Sequence, residues 1–133
     1  MNKREQKSAI VFTSSIAGTY EHPGMAAYSA TKGFVTLLAK SLYYEVKDSI
    51  DVLSFNPGLV SSNMIPLPAG SRNGDVVSAN EAVTDCLRNL GHVSFTYGCE
   101  THSKFAQNNN PEAIDIGTKY LERKKRNALA KLT

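Results

Sequence analysis

The sequence predicts an α/β protein built on a parallel sheet of about three strands with flanking helices. Two short apolar runs, at residues 9–12 and 50–55, enclose a long helical pattern at residues 25–47. A strand, a long helix and a second strand in this order are typical of a right-handed βαβ unit with parallel strands. A second helical pattern with its own capping signal follows at residues 78–91. The 133 residues suffice for one domain and not for two.

The strand–helix–strand unit occupies the first half of the chain. Residues 9–12 are continuously apolar and end in three hydroxyl residues, as expected of a strand buried on both faces. Residues 16–24 contain glycine and proline, which predicts a loop. Two apolar stripes in residues 25–47 predict a helix that buries two sides. The stripes are Phe34, Leu37, Leu38 and Leu42, and Val35, Ala39 and Val46.

The second half is predicted to contain a long loop, a helix and a short strand. Residues 61–77 are rich in serine, proline, glycine and asparagine, which favours a loop. Ser78 and Glu81 have the spacing of a capping box, and the apolar residues behind them recur at helical intervals until Gly91. Alternating apolar and polar residues at 93–97 predict a third strand.

The C-terminal region is polar and basic. Residues 107–110 precede a proline and predict a turn, and residues 112–131 predict a charged final helix. A basic stretch can attach to anionic lipid, so association with a membrane is compatible with this helix, but a solvated helix is the more common explanation. No nucleic-acid partner is expected.

Composition narrows the class of protein. The content of 41% hydrophobic and 20% charged residues is typical of globular proteins. No apolar run approaches the ~20 residues that a membrane helix needs, and no apolar segment follows the charged N-terminus as in a secretory signal. Cys86 and Cys99 form neither a CxxC pair nor a disulfide framework, which favours a reducing, intracellular environment. His92, Cys99 and His102 lack the paired spacing of metal ligands, so no metal is expected.

One tyrosine–lysine pair stands in a context that suits catalysis. Tyr28 and Lys32 are four residues apart in the predicted long helix, so their side chains share one face. A lysine ammonium near a tyrosine stabilises the phenolate, which suits the phenol to general acid–base catalysis. This pair opens a helix that follows a buried strand with Ser15 at its carboxyl end, where open α/β sheets place their sites. Two other pairs have the same spacing but lack this context: Tyr43/Lys47 and Tyr120/Lys124.

The residues from Ser8 to Gly18, followed by Tyr28-Ser-Ala-Thr-Lys32, resemble the active-site segment of the short-chain dehydrogenase/reductase family. That family pairs a serine at a strand end with a Tyr-x-x-x-Lys motif, and the interval between them selects Ser15 rather than Ser14. The segment Asn56-Pro57-Gly58-Leu59-Val60-Ser61-Ser62 is similar to the family's Pro-Gly loop. The likeness is close up to residue 64 and loose beyond residue 78.

The resemblance implies an NAD(P)-dependent oxidoreductase with a known division of labour. Tyr28 would exchange a proton with the substrate oxygen, Ser15 would hydrogen-bond that oxygen, and Lys32 would support the tyrosine and hold the nicotinamide ribose. The hydride itself would pass between the cofactor and the substrate carbon.

The Pro-Gly loop would form the other part of the cofactor site. Pro57 and Gly58 would shape it, and the backbone of Val60 would bind the nicotinamide amide. Ser62 stands where the family usually has a threonine that contacts the cofactor, and it keeps the hydroxyl.

Three features of the family do not occur in these 133 residues: the Gly-x-x-x-Gly-x-Gly dinucleotide motif, the Asn-Ala-Gly element and the asparagine of the preceding helix. The resemblance therefore implies a partial Rossmann-like domain, the catalytic C-terminal half, with the N-terminal strands missing. The strand at residues 9–12 would then have a bare apolar edge. A partial gene product is the first explanation; a chain that folds with a partner and a degenerate homologue are the alternatives. We expect no useful catalysis by the isolated chain.

We accordingly treat the chain as one partial domain: a catalytic unit (1–60), a substrate-loop region (61–77) and C-terminal helices with an edge strand (78–133). The expected cofactor is NAD or NADP, with NADP preferred, and the expected substrate is a small-molecule ketone or secondary alcohol. A loose similarity of residues 90–102 to the hydroxysteroid dehydrogenase and 3-ketoacyl-CoA reductase branch points to a steroid or lipid substrate and to the cytoplasm or the endoplasmic reticulum. The alternative is a non-catalytic interaction module, in which helix 25–47, similar to the family's dimerisation helix, forms a homo-oligomer.

Overall fold

Three parallel strands form one sheet in the computed structural model, which describes residues 7–108, 118–119, 121–127 and 130. The strands are β1 (Ser8–Thr13), β2 (Ile50–Phe55) and β3 (Phe95–Thr96), in the spatial order β1-β2-β3. The helices are α1 (Ala26–Val46), α2 (Ala79–Asn89) and α3 (Glu100–Asn108), and a 3-10 turn (Ile16–Gly18) follows β1. The prediction of an α/β fold with about three parallel strands is confirmed.

The βαβ unit of β1, α1 and β2 positions the candidate site. β1 and β2 pair in parallel along their full length, starting with Ser8 opposite Ile50. α1 connects the two strands and packs on the sheet through Thr36 and Ala39, which are both buried. β2 lies between the other two strands, and its last four residues are buried.

β1 forms an edge of the described sheet and exposes apolar side chains. Ile10 is 41% exposed and Val11 is 37% exposed. A strand with this composition is normally paired on both sides, since an open apolar edge can pair with another chain. The bare edge expected from the sequence is therefore present in the described part of the chain.

Only one of the two apolar stripes of α1 is buried. Ala39 is buried and Val35 is partly buried, but Phe34 and Leu37 are each 67% exposed. The prediction that the helix buries two sides is wrong for the described residues. The physical reason is that α1 packs against β1, β2 and the 3-10 turn, and none of the described elements buries Phe34 or Leu37.

The second half of the chain returns to β2. Residues 61–77 are mainly irregular, as predicted, and end beside the sheet where Val77 pairs with Val60. Ser78 caps α2 as predicted, because its Oγ accepts the Glu81 N–H at 3.1 Å. One apolar cluster joins this region to β2; its buried members are Leu53, Phe55, Val77, Ala82, Cys86 and Cys99.

The C-terminal part differs from the prediction at one helix. The turn predicted at residues 107–110 is wrong for Gln107 and Asn108, which belong to α3, and the rest of it lies outside the described residues. α3 has few apolar positions, so its helical period is weak in the sequence. Of the final helix predicted at residues 112–131, residues 118–119 and 121–127 are helical, residue 130 is in a turn, and the remainder is outside the described part. Among the described helices, none combines the length and the hydrophobicity needed to cross a membrane.

Candidate active site

Backbone hydrogen bonds continue past the carboxyl ends of β1 and β2 and hold the two following segments together. The Ser14 N–H donates to Phe55 O at 2.7 Å, and the Ile16 N–H donates to Pro57 O at 3.0 Å. The residues after β1 therefore run beside the Pro-Gly loop that follows β2. Both predicted halves of the site lie at the same edge of the sheet, as expected for parallel strands.

Ser15 lies between these two hydrogen bonds and caps the 3-10 turn. Its backbone is extended, with φ −162° and ψ 153°, and its Oγ accepts the Ala17 N–H at 3.2 Å. That bond uses an oxygen lone pair, so the hydroxyl proton is still available. Within the described residues the Ser15 hydroxyl donates to no acceptor, and it can therefore donate to a ligand.

Tyr28 and Lys32 lie together in the first two turns of α1. The Lys32 Nζ donates to Thr13 O, 3.2 Å away, and lies 5.8 Å from the centroid of the Tyr28 ring. The ammonium is thus held between the tyrosine and the last residue of β1. An ammonium carries three N–H donors, so two are available beyond the bond to Thr13.

Gly18 lets the 3-10 turn press directly against α1. A Cβ on Gly18 would lie 2.6 Å from the Lys32 carbonyl carbon and 2.8 Å from the Gly33 nitrogen. Both are backbone atoms of a helix and cannot move aside alone, so this position accepts only glycine. The contact fixes the segment that carries Ser15 against the turn of α1 that carries Lys32.

A buried polar cluster of Ser14, Thr36, Ser54 and Asn56 connects β1, α1 and β2. The Thr36 Oγ1 lies 2.6 Å from Asn56 Oδ1 and 2.8 Å from Ser14 Oγ. The Asn56 Nδ2 donates to Ser54 Oγ at 2.8 Å and to Ser54 O at 3.1 Å. An amide oxygen can only accept, so the Thr36 hydroxyl donates to Asn56. All four residues are buried, which makes each of these hydrogen bonds costly to lose.

The cluster also reaches the backbone of the helix that carries Lys32. The Ser14 Oγ donates to Lys32 O at 2.7 Å. The cluster therefore joins the neighbour of Ser15, the carbonyl of Lys32 and, through Asn56, the residue before Pro57. This cluster was not predicted from the sequence. A threonine three residues before Ala39, on the buried stripe of α1, is nevertheless a signal of a buried polar contact.

The Pro-Gly loop presents one peptide edge whose hydrogen-bonding groups point away from the neighbouring Val77. In the parallel bridge between Val60 and Val77, Leu59 O accepts the Val77 N–H at 3.0 Å and the Ser61 N–H donates to Val77 O at 2.9 Å. The N–H and C=O of Val60 itself therefore point away from Val77. Val60 O lies 3.2 Å from the Ser62 Oγ that donates to it, and the Val60 N–H has no acceptor within the described residues. A carboxamide carries one donor group and one acceptor, so this edge fits the nicotinamide that the resemblance places here.

The family model for short chain dehydrogenases matches residues 1–67 of this chain. The chain belongs to the short-chain dehydrogenase family. The matched residues include β1, α1, β2 and the Pro-Gly loop, which together contain every residue of the predicted site. The family expected from the sequence motifs is confirmed.

Two relatives show how far the likeness extends. Carbonyl reductase [NADPH] 2 of Sus scrofa is 42% identical over 65 residues, which are 48% of this chain and 27% of that protein. A solved structure from a study of 7β-hydroxysteroid dehydrogenase stereoselectivity superposes with a TM-score of 0.69 at 19% identity, over 83% of this chain and 47% of that one. The second likeness shows the fold alone. The matched parts of this chain span about a quarter of the length of the first relative and about half of the second.

The imidazole of His102 contacts the Pro-Gly loop, a contact that the sequence did not predict. His102 lies in α3, is 1% exposed, and places its Nε2 3.1 Å from Leu59 O. Its ring also lies against Gly58, where a Cβ would be 2.7 Å from His102 Cδ2. The sequence gives no local pattern for this contact, because 43 residues separate the two partners.

Burial shifts the pKa of several tyrosine, histidine and cysteine side chains. Burial and the neighbouring Tyr97 raise the pKa of Tyr20 to about 12, and its ring stacks on His22 with 5.0 Å between centroids. Burial lowers the pKa of His22 and raises the pKa of the Cys86 and Cys99 thiols. The two cysteines are free, and their raised pKa values make them poor nucleophiles at neutral pH.

One cleft of the chain lies apart from the predicted catalytic residues. A cleft of about 460 Å³ opens between the 3-10 turn, α1 and β3, and Ser15, Tyr28 and Lys32 are not among its lining residues. In the part of the chain that the structure describes, no group of three or more His, Cys, Asp or Glu side chains is placed to hold a metal ion.

Proposed function

We propose that this chain carries the proton-transfer centre of an NAD(P)-dependent oxidoreductase that interconverts a ketone and a secondary alcohol. The observation that carries the proposal is the position of Lys32, whose Nζ donates to Thr13 O beside the Tyr28 ring. Membership of the short-chain dehydrogenase family supports the reaction class, and a relative named as a carbonyl reductase supports a carbonyl substrate.

Tyr28 and Ser15 act on the substrate oxygen in this proposal. In the reductive direction Tyr28 Oη gives its proton to the carbonyl oxygen, and in the oxidative direction it takes the proton back. The Ser15 hydroxyl donates a hydrogen bond to the same oxygen, because its Oγ already accepts from Ala17 and its proton is the part still available. The bound nicotinamide supplies or accepts the hydride.

Lys32 and the Pro-Gly loop hold the cofactor. The two N–H donors that Lys32 does not use on Thr13 are available for the ribose hydroxyls and for Tyr28. Pro57 and Gly58 shape the loop. The N–H of Val60, which has no acceptor among the described residues, donates to the carboxamide oxygen.

We also propose which cofactor and substrate the protein uses and where in the cell it is located. Ser62 contributes its hydroxyl to cofactor binding in place of a threonine. We prefer NADP over NAD, because the carbonyl reductase relative is named as an NADPH enzyme. The substrate is a steroid or a 3-ketoacyl lipid, and the two free cysteines favour an intracellular location, in the cytoplasm or at the endoplasmic reticulum.

We further propose that these 133 residues by themselves have no useful turnover. They contain no glycine-rich dinucleotide motif, so they offer only the nicotinamide end of a cofactor site. Saturable NAD(P)H-dependent reduction of a ketone by the purified chain would contradict this part of the proposal.

A second candidate function is a non-catalytic interaction module that forms a homo-oligomer through α1. The observation that favours it is the exposed stripe of Phe34 and Leu37, which is continuous with exposed Leu38. An exposed apolar surface of this kind marks a protein interface more often than an isolated exposed side chain does. This module would assemble but would not bind a nicotinamide nucleotide.

Substitution of Tyr28 tests the proposed function in the protein as the cell makes it, with any residues that precede this sequence, because the 133 residues alone are expected to have no useful turnover. Tyr28→Phe removes the proton donor and keeps the ring, so turnover should fall at least ~100-fold with little change in thermal stability. Tyr43→Phe is the matched control, since Tyr43 lies on the same helix and Lys47 follows it at the same spacing. The assay is oxidation of NADPH with a set of ketones. Retained turnover in Tyr28→Phe would remove this residue from the mechanism, and a stable oligomer without nucleotide binding would favour the module.

A further inference from the structure

We propose that His102 is a positioning residue that aims the Val60 N–H at the nicotinamide. The inference rests on the proposed function, because it concerns the loop that would hold the cofactor. It assigns a role to a side chain of α3, outside the residues 1–67 that match the family model. The juxtaposition that carries it is the contact of a buried imidazole with the carbonyl of Leu59.

The direction of the hydrogen bond fixes the state of the ring. Leu59 O lies 3.1 Å from His102 Nε2, and a carbonyl oxygen can only accept. The Nε2 atom must therefore carry the proton. The other nitrogen, Nδ1, is buried and has no partner among the described residues, which agrees with a neutral ring protonated at Nε2 alone.

The same carbonyl controls the orientation of the Val60 amide. In a trans peptide the C=O of Leu59 and the N–H of Val60 lie in one plane and point in opposite directions. His102 and the Val77 N–H both bind Leu59 O, at 3.1 and 3.0 Å. Two donors on one side of this peptide hold its N–H toward the other side, where it has no acceptor among the described residues.

The imidazole can fix the loop because it is itself held tightly. His102 is 1% exposed, and its ring fits against the Cα of Gly58 with no space for a side chain there. At the start of α3, Gly98 packs so closely on Phe55 of β2 that a Cβ would lie 2.5 Å from that ring. His102 is thus held in a fixed position relative to the sheet, and its ring in turn contacts the loop.

Two substitutions in the 133-residue chain test the assignment. His102→Met removes the donor but keeps a side chain of similar size, and His102→Gln keeps an N–H close to the position of Nε2. The readout is the residual dipolar coupling of the Val60 N–H in the ¹⁵N-labelled chain, which reports the direction of that bond. We expect the coupling to decrease in His102→Met, where the Val77 N–H is the remaining donor to Leu59 O, and to recover in His102→Gln, while the couplings of Val52 and Leu53 in β2 stay unchanged.

A Val60 coupling that His102→Met leaves unchanged would overturn the proposal, and so would a His102→Gln variant that behaves like His102→Met. If His102→Met does not fold, the unmodified chain still gives a decisive measurement. The ¹⁵N chemical shifts of the His102 ring must show a proton on Nε2 and none on Nδ1. The opposite tautomer would place two acceptors against each other and would refute the assignment.

Titration with nicotinamide mononucleotide separates this inference from the proposed function. We expect a shift of the Val60 amide resonance, with affinity about fivefold weaker in His102→Met and restored in His102→Gln, as for loss of one neutral hydrogen bond. If the mononucleotide shifts no resonance of the loop in the unmodified chain, the nicotinamide site is refuted. The dipolar couplings then still decide whether His102 orients the Val60 amide.

Discussion

Replacing Thr36 by valine removes one hydroxyl from the buried cluster and changes the shape of the side chain very little. The Thr36 Oγ1 lies 2.6 Å from Asn56 Oδ1, which has no other hydrogen-bond donor among the described residues. In Thr36→Val this amide oxygen stays buried without a partner. The Ser14 hydroxyl is less affected, because it still donates to Lys32 O at 2.7 Å.

The magnitude follows from two opposing contributions to the free energy of unfolding. An unsatisfied buried acceptor costs about 1–3 kcal/mol. The added methyl group of valine returns at most about 0.8 kcal/mol of hydrophobic stabilisation. Taking the middle of that range, about 2 kcal/mol, and subtracting at most about 0.8 kcal/mol leaves an expected net loss of about 1–2 kcal/mol. Each 1.4 kcal/mol is roughly a tenfold change in the unfolding equilibrium constant.

Urea unfolding of the 133-residue chain, followed by circular dichroism, measures this loss as a lower midpoint at an unchanged slope. Thr84→Val is the matched control, because Thr84 lies on an exposed face of α2 and should change stability by less than about 0.5 kcal/mol. If Thr36→Val is as stable as Thr84→Val, the buried hydrogen bond to Asn56 contributes nothing net, and our interpretation of the cluster is refuted.

Gly18→Ala should destabilise the chain by about 1–3 kcal/mol, because its Cβ would lie 2.6 Å from the Lys32 carbonyl carbon. Gly33→Ala should stabilise it by up to about 1 kcal/mol, since its Cβ meets only Gly18 O at 3.4 Å and alanine favours the helix. If both variants shift the urea midpoint in the same direction, the close contact at Gly18 is contradicted. Burial and Tyr97 raise the pKa of Tyr20 to about 12, above the ordinary value of about 10, so the folded state favours the neutral phenol. Tyr20 therefore contributes stability that is complete below pH ~10 and is lost as the pH rises toward ~12. Tyr20→Phe should lose stability less steeply than the unmodified chain across this range, and equal slopes in urea unfolding would exclude the raised pKa.

Elements with strong local patterns were predicted well. The apolar runs and end signals of β1 and β2, the helical period of α1 and the Ser78 cap of α2 all appear as expected, because each depends on residues only a few positions apart. α3 was missed, since its few apolar residues give no clear period. The burial of α1 was predicted on two sides although only one is buried, because a periodic stripe does not reveal whether another element is present to cover it.

The sequence by itself determined the parallel βαβ unit, the pairing of Tyr28 with Lys32, and the placement of Ser15 and the Pro-Gly loop at the same edge of the sheet. These follow from spacing along the chain and from the geometry of parallel strands. Only the tertiary structure decided that Thr36 donates to Asn56 and that His102 binds Leu59 O, contacts between residues 20 and 43 positions apart. Such contacts depend on how helices settle on the sheet, because close packing brings together side chains that have no periodic relation in the sequence.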